Sequence, residues 1–243
     1  MEEHVYQQLY DLEDGHWWFR GRRAVLWAML SRAGVPERPQ VLDAGCGTGR
    51  NLAEFGRLGT ARGVDPSRQA IEFCRRRGLG EVEAAGIESL PYADGTFDLI
   101  LATDVLEHVE RDDVAATELR RVAAPGALLL VTVPAYGWLW SQHDDSHHHL
   151  RRYTAGSLRG RLAAAGWKPE LLTYFNSLLL PPIALVRVLA RRRAPRDGRT
   201  DYQLTGGALN RALELPMRAE AALIARGARF PAGVSIGMVC RPA

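Results

Sequence analysis

Three glycines, Gly45, Gly47 and Gly49, fall at every second position of V-L-D-A-G-C-G-T-G (41–49), where a short apolar run gives way to a helix-like one. Lacking Cβ atoms, they let the backbone turn sharply and approach a ligand closely. Asp65 lies 22 residues beyond Asp43, at the end of the next apolar run. A carboxylate there can accept both ribose hydroxyls of a nucleoside. The spacing is G-x-G-x-G, not the G-x-G-x-x-G that seats a pyrophosphate on a helix N-terminus. Asp43 also adds a negative charge beside the loop. The combination favours a nucleoside carrying positive charge and no phosphate over a nicotinamide dinucleotide. Cys46, inside the loop, reads as a small filler and not as a nucleophile.

A second concentration of chemistry lies between residues 143 and 149, which hold four of the seven histidines beside Asp144 and Asp145. Histidine titrates near neutrality and can take or orient an acceptor's proton. Metal binding by His and Asp is a second reading, but the run lacks a recognised ligand spacing such as H-E-x-x-H, and no metal is expected. A solvated lid loop is the third.

The elements that must position these residues follow from periodicity. Trp18 to Arg32 carries apolar residues at helical spacing. Strands are expected over 40–44, 61–64, 81–85, 97–102 and 127–133, separated by helices over 49–58, 67–77 and 112–123. That alternation implies crossover connections and a mostly parallel sheet. Further on, 154–165 reads as helix, 167–175 as strand, 176–193 as an apolar helix-like insertion, 194–200 as a Pro/Gly/Arg linker and 209–226 as helix. The closing V-S-I-G-M-V-C alternates like an edge strand.

The chain has 243 residues, 47% hydrophobic and 24% charged, which excludes disorder, a collagen-like repeat and a disulfide scaffold. Its net charge of +3 conceals a steep asymmetry: residues 1–150 sum to −8, 151–200 to +9 and 201–243 to +2. The three scattered cysteines, with no C-x-x-C pair, suit a reducing cytoplasm. The acidic N-terminus lacks the apolar run of a signal peptide. The longest apolar tract, 171–190, contains Asn176, Pro181, Pro182 and Arg187, which argues against a transmembrane span.

The ordered motifs resemble those of the class I S-adenosylmethionine-dependent methyltransferases. Asp43 to Gly49 matches their first motif and Gly63-Val64-Asp65-Pro66-Ser67 their second. Leu90-Pro91-Tyr92 through Phe97-Asp98, Asp104 to His108 (D-V-L-E-H) and Arg121 to Leu128 match three more, with Ala127 in place of a glycine. The resemblance implies a Rossmann-like, doubly wound, mostly parallel seven-stranded α/β sheet with helices on both faces and a C-terminal helical insertion. It implies S-adenosyl-L-methionine as cofactor. Asp43 and the backbone of Gly45, Cys46 and Gly47 would hold the methionine end, Asp65 and Pro66 the ribose, with Thr103 and Asp104 on the same side. Many relatives have D-A-E before L-P, whereas here Gly86-Ile87-Glu88 stands there, so backbone amides around Ile87 are expected to receive the adenine. His108 is expected to orient its loop.

H-W-W-F-R-G-R-R (16–23) and the segment from L-W-S-Q-H-D to H-L-R-R-Y (139–153) resemble a narrower bacterial subgroup. Trp18 and Arg22 either close the cofactor pocket, the arginine taking the methionine carboxylate, or belong to an amphipathic helix on the sheet edge. The subgroup pattern singles out His143, Asp144 and His149 as catalytic candidates. It leaves His147 and His148 for the surface, and places Trp140, Arg152, Tyr153, Tyr174 and Asn176 with the acceptor. The division expected is a single domain, with a helical cap over 1–35, a cofactor core over 36–135, an acceptor-side region over 136–231 and a final strand over 232–243. The acceptor is a small molecule, a natural product or lipid-linked, with the methylated atom open among O, N and C. The 178–190 insertion with its following arginines either roofs the site or forms a homodimer interface, or else touches anionic lipid at the inner membrane face. A nucleotide-dependent oxidoreductase and a non-catalytic cofactor- or RNA-binding protein are the rivals. Arginines 191–199 lack interleaved aromatics, which disfavours nucleic acid.

Overall fold

The computed structural model describes residues 3–190 and 207–243. In chain order it places helices α1 (Glu3–Leu12) and α2 (Trp17–Ala33), strand β1 (Gln40–Ala44), α3 (Arg50–Phe55), β2 (Thr60–Asp65), α4 (Arg68–Arg76), β3 (Val82–Ala84) and β4 (Phe97–Thr103). There follow α5 (Asp112–Val122), β5 (Ala123–Pro134), α6 (Gln142–Ser146), α7 (Ala155–Ala164), β6 (Trp167–Phe175), α8 (Leu180–Ala190), α9 (Gly207–Ala225) and β7 (Ser235–Pro242). The seven strands form one sheet in the order β3-β2-β1-β4-β5-β7-β6. All pairings are parallel except those of β7, which is antiparallel to both neighbours. This is the doubly wound sheet that the alternation predicted.

Strand pleating sorts the apolar residues into two layers. Leu99, Leu101, Leu128 and Leu130 face α2 and α9, together with Val25, Met29, Met217 and Ile224. Ile100, Ala102, Leu129 and Val131 face the other way, onto Ala115, Leu119, Leu158 and Leu162 of α5 and α7. Each wholly buried Leu, Ile, Val or Met among them stabilises the fold by about 1.5–3 kcal/mol. Side chains cap three helix starts: His16 accepts from the Trp18 amide, Ser67 from Ala70, and Thr154 from Ser157.

Two expectations are corrected. The closing strand is interior, inserted between β5 and β6, because every residue from Ser235 to Cys240 is buried. Its apparent alternation is one of size, not polarity, and Gly237 is small where a Cβ would come within 2.6 Å of Met29 Sδ. The expected helix over 49–58 is α3 followed by a 3-10 turn at 56–58. The helical cap expected over 1–35 consists of two helices, α1 and α2. The linker at 194–200 and the arginines at 191–193 lie outside the described residues.

Helices α2 and α9 pack closely at Gly21, where a Cβ would lie 2.6 Å from Met217 Cβ. Gly21→Val is expected to destabilise the chain by about 1–3 kcal/mol through overpacking. Gly160→Ala, in open space on α7, should instead stabilise it by up to about 1 kcal/mol. Urea denaturation of the two variants checks both signs.

The winding direction reverses between β1 and β4. The crevice at the carboxyl ends of these strands is where an open α/β sheet holds its ligand.

Candidate active site

A cavity of about 950 Å³ opens at that switch point. One half is built on the glycine loop. Gly45, Gly47 and Gly49 have φ of 81°, 53° and 82°. At Gly45 a side chain would also strike Val105, 2.5 Å from the added Cβ. The Gly45 and Cys46 amides donate to Val64 O, at 2.8 and 2.9 Å, tying the loop to β2. From the end of β2, Asp65 accepts from the Gly47 amide at 3.0 Å and the Ser67 amide at 2.9 Å. Burial raises its carboxyl while these two amides oppose the shift. Asp65, Pro66, Gly86, Ile87, Thr103 and Asp104 all line the cavity.

Asp43 does not reach the cavity wall. It is 1% exposed, and no side chain among the described residues hydrogen-bonds its carboxylate, which faces the Leu52 backbone. Burial pushes it up to about 7, with the Arg22 charge acting the other way. Cys46 lies on the wall, its thiol 3.8 Å from that of Cys74. The Cys74 thiol and burial raise its pKa, so it stays protonated, in keeping with a filler.

Trp18 and Arg22, on the first turns of α2, also line the cavity. Trp18 stacks on Phe175 with centroids 6.3 Å apart. Arg22 forms an ion pair with Asp104 and donates to Thr103 Oγ1 at 3.3 Å. Asp104 accepts from Thr132 Oγ1 at 2.9 Å and adopts φ 57°, an uncommon left-handed conformation for a residue with a side chain. The start of α2 is fixed by Asn210 of α9, which accepts from the Trp17 amide and donates to Gly15 O, both at 2.8 Å. Outside the loop, Glu13 accepts from the Thr48 hydroxyl and pairs with Arg77, which itself donates to Thr48 O at 2.9 Å. Glu13 was missed in the sequence, where an acid before H-W-W carries no local signal.

The other half of the cavity is bounded by Glu107, His108, His143, His147, His149 and Arg152, with Asn176 nearby and Pro182, Ile183 and Arg187 of α8 on its wall. Helix α8 therefore forms part of the roof. The centre of the histidine loop is Asp144. Its carboxylate accepts from His149 Nδ1 at 2.8 Å, Arg152 Nε and Nη2 at 2.7 and 3.0 Å, and the Ser141 amide at 2.8 Å. Burial alone would raise this carboxyl, but the His149 and Arg152 hydrogen bonds outweigh it and hold it well below the usual carboxylate range. Asp144 is fully buried and does not line the cavity, which corrects its place among the proton-accepting candidates. Because an ionised carboxylate only accepts, His149 Nδ1 is the donor in this contact.

His108 packs edge-on against His149, with centroids 4.7 Å apart. Burial, with His149 and His147 nearby, lowers His108 to about 3, and it hydrogen-bonds the His147 backbone. His143 is likewise pulled well below its ordinary value, chiefly by burial. His148 is exposed as expected; His147 is 4% exposed, contrary to the surface expectation, because its Nδ1 contacts His143 O at 2.9 Å and turns the ring inward.

Three expected acceptor-side residues lie elsewhere. Tyr153 is buried, its hydroxyl donating to Asp112 Oδ2 at 2.8 Å. The Tyr174 hydroxyl accepts from the Ala155 amide, and its ring stacks on Tyr136. Trp140 donates to Asp145 Oδ1 at 2.8 Å. None of the three lines the cavity; each braces the segment that presents the histidines.

Residues 42–131 match the family model described as a methyltransferase domain. The chain is 30% identical over 154 residues to the malonyl-[acyl-carrier protein] O-methyltransferase of Serratia marcescens, covering 59% of each chain. It is 38% identical over 103 residues to a fatty-acid O-methyltransferase of Mycolicibacterium smegmatis, covering 40% of this chain and 37% of that one. The chain spans roughly a third to three fifths of the length of the curated relatives it matches. Its fold is that of a SAM-dependent methyltransferase structure from Thermotoga maritima, with a TM-score of 0.63, 16% identity, and coverage of 99% of this chain and 96% of that one.

Proposed function

We propose that the chain transfers a methyl group from S-adenosylmethionine to a small-molecule or lipid-like acceptor held in the same cavity, a reading supported by the match of residues 42–131 to a methyltransferase-domain model. The observation that carries this reading is the pairing of the glycine loop with Asp65 on one wall of a 950 Å³ chamber. That volume lies at the upper end for ligand sites and leaves room for a nucleoside beside a second molecule.

The wall fits the cofactor. The loop glycines leave open the space that side chains would fill, and the Asp65 carboxylate suits a ribose. The Trp18 ring offers a face to a sulfonium. When bound, the cofactor supplies an electrophilic methyl group. The chain's own residues align and enclose. Asp65 fixes the ribose, the backbone around Ile87 receives the adenine, and α2 closes over the methionine end. Arg22 sits beside Asp104 in a position to exchange that carboxylate for the cofactor's. Alignment of this kind can lower a barrier by roughly 7–11 kcal/mol. The His143 imidazole faces the acceptor half, where it holds the acceptor or receives its proton, and His149 stands beside it. The fatty-acid acceptor in the name of one curated relative supports an apolar acceptor, as do the apolar residues of α8 on the wall.

Calorimetric titration with S-adenosylmethionine should give one binding site per chain. Incubation with methyl-labelled cofactor and a bacterial metabolite extract, read by mass spectrometry, should yield a labelled product. A chain that binds no cofactor would refute the reading.

A further inference from the structure

Glu107, His108 and His149 meet at the acceptor end of the cavity, with one donor atom from each lying within 4.8 Å of the other two. Three features make this more than a chance grouping. Glu107 is fully buried, and neither of its carboxylate oxygens has a hydrogen-bond partner among the described residues. Burial raises this carboxyl well above its ordinary value, and a cation bound at its oxygens would let it stay ionised. The arginines that line the cavity are engaged elsewhere: Arg22 by Asp104, Arg152 by Asp144, and Arg187 by Leu139 O.

The second feature is the outer bonding of both imidazoles. His149 is held through Nδ1 by Asp144, itself clamped by Arg152, and His108 is held by the His147 backbone. Each ring thus has one nitrogen fixed and the other available. This is the carboxylate–histidine and carbonyl–histidine arrangement that orients metal ligands. The third feature is the donor set. Two imidazoles and one carboxylate suit borderline divalent ions, whereas magnesium and calcium prefer all-oxygen shells.

We propose that Glu107, His108 and His149 bind one divalent transition-metal ion of the zinc, iron or manganese class, with Asp144 as the positioning residue for His149. The remaining coordination positions face the cavity and take water or an acceptor oxygen. The site rests on the methyl-transfer reading only for its use, which is to hold that oxygen towards the cofactor half. It also departs from the sequence expectation of no metal, because its ligands come from two distant segments with no motif spacing between them.

The test uses the full chain after dialysis against EDTA, titrated with cobalt(II) as a spectroscopic stand-in. Wild type should take up one equivalent with visible d–d absorption and no thiolate charge-transfer band. Zinc should displace the cobalt, and magnesium should not. Glu107→Gln, His108→Ala and His149→Ala should each weaken binding by at least about 100-fold, and Asp144→Asn by about 10–100-fold. His148→Ala, on the exposed neighbour, should bind as wild type does. Thermal melts of the metal-free variants identify any that fail to fold. The proposal is overturned if wild type takes up no stoichiometric cobalt, if a thiolate band assigns the ion to the cysteines, or if binding survives in folded Glu107→Gln and His108→Ala. S-adenosylmethionine titration of the same metal-free protein separates the two readings. Cofactor binding without cobalt binding removes the metal alone, and cobalt binding without cofactor binding removes methyl transfer alone.

Discussion

Asp144→Ala is expected to destabilise the chain by about 3–5 kcal/mol, the cost of leaving a buried charge without its partner. The Arg152 side chain is 2% exposed, and its guanidinium forms two hydrogen bonds to Asp144, with Ala135 O taking a third. Removing the carboxylate strands that cation and also frees the Ser141 amide and His149 Nδ1. For a chain of this size the loss corresponds to a melting point lower by roughly 6–20 °C. The pH dependence has a definite sign. The carboxyl lies below its ordinary value in the fold, so its stabilisation is fully present above the unfolded pKa of about 3.9 and is lost as pH falls towards the folded value. The gap between wild type and variant, followed by urea denaturation, should therefore be constant near neutrality and close only in acid. A variant as stable as wild type at pH 7 would show that the pair contributes nothing net.

Asp65→Ala is expected to weaken S-adenosylmethionine binding by about 10²–10⁴-fold, from the loss of two hydrogen bonds to a charged acceptor at about 1.5–3 kcal/mol each. Part of that loss is indirect, since the Gly47 and Ser67 amides lose their acceptor too. A cofactor analogue lacking the 2′-hydroxyl isolates the direct part. It should bind wild type more weakly than the natural cofactor does, while the variant should hardly distinguish the two. Equal discrimination by both proteins would remove Asp65 from the ribose.

These two residues mark how far the sequence could be read. The position of Asp65 beside the glycine loop was legible because the arrangement is local: a strand end, a glycine turn and an acid at fixed spacing, all on the neighbouring strands β1 and β2. The sheet was legible for the same reason, since pleating and helical periodicity are local signals. Asp144 was found, but its role was not. Its partners lie only three to eight residues away, yet whether a carboxylate in an H-D-D run faces a cavity or an arginine depends on how the loop folds back. His147 failed in the same way. Glu107 shows a further limit. Beside His108 it reads as part of a motif, and only the return of the chain at His149, across a turn braced by Tyr153 and Trp140, gives the pair a third member. Strand β7 was misplaced because the alternation of large and small residues resembles that of apolar and polar ones until the neighbouring strands are known.

The position of β7 also governs the order in which this sheet can be assembled during synthesis. Strand β5 ends at Pro134, but the neighbour that covers its outer side begins at Ser235, about 100 residues later. At roughly 5–20 residues per second, the ribosome needs about 5–20 s to deliver it. Until Ser235 to Pro242 are made, β5 lacks its native outer neighbour, and β6, complete at Phe175, lacks the strand that joins it to the sheet. Such edges recruit strands from other chains. The last segment to emerge is therefore the one that closes the sheet, and a ribosome stalled within α9 would present to chaperones a five-stranded sheet with an exposed apolar border.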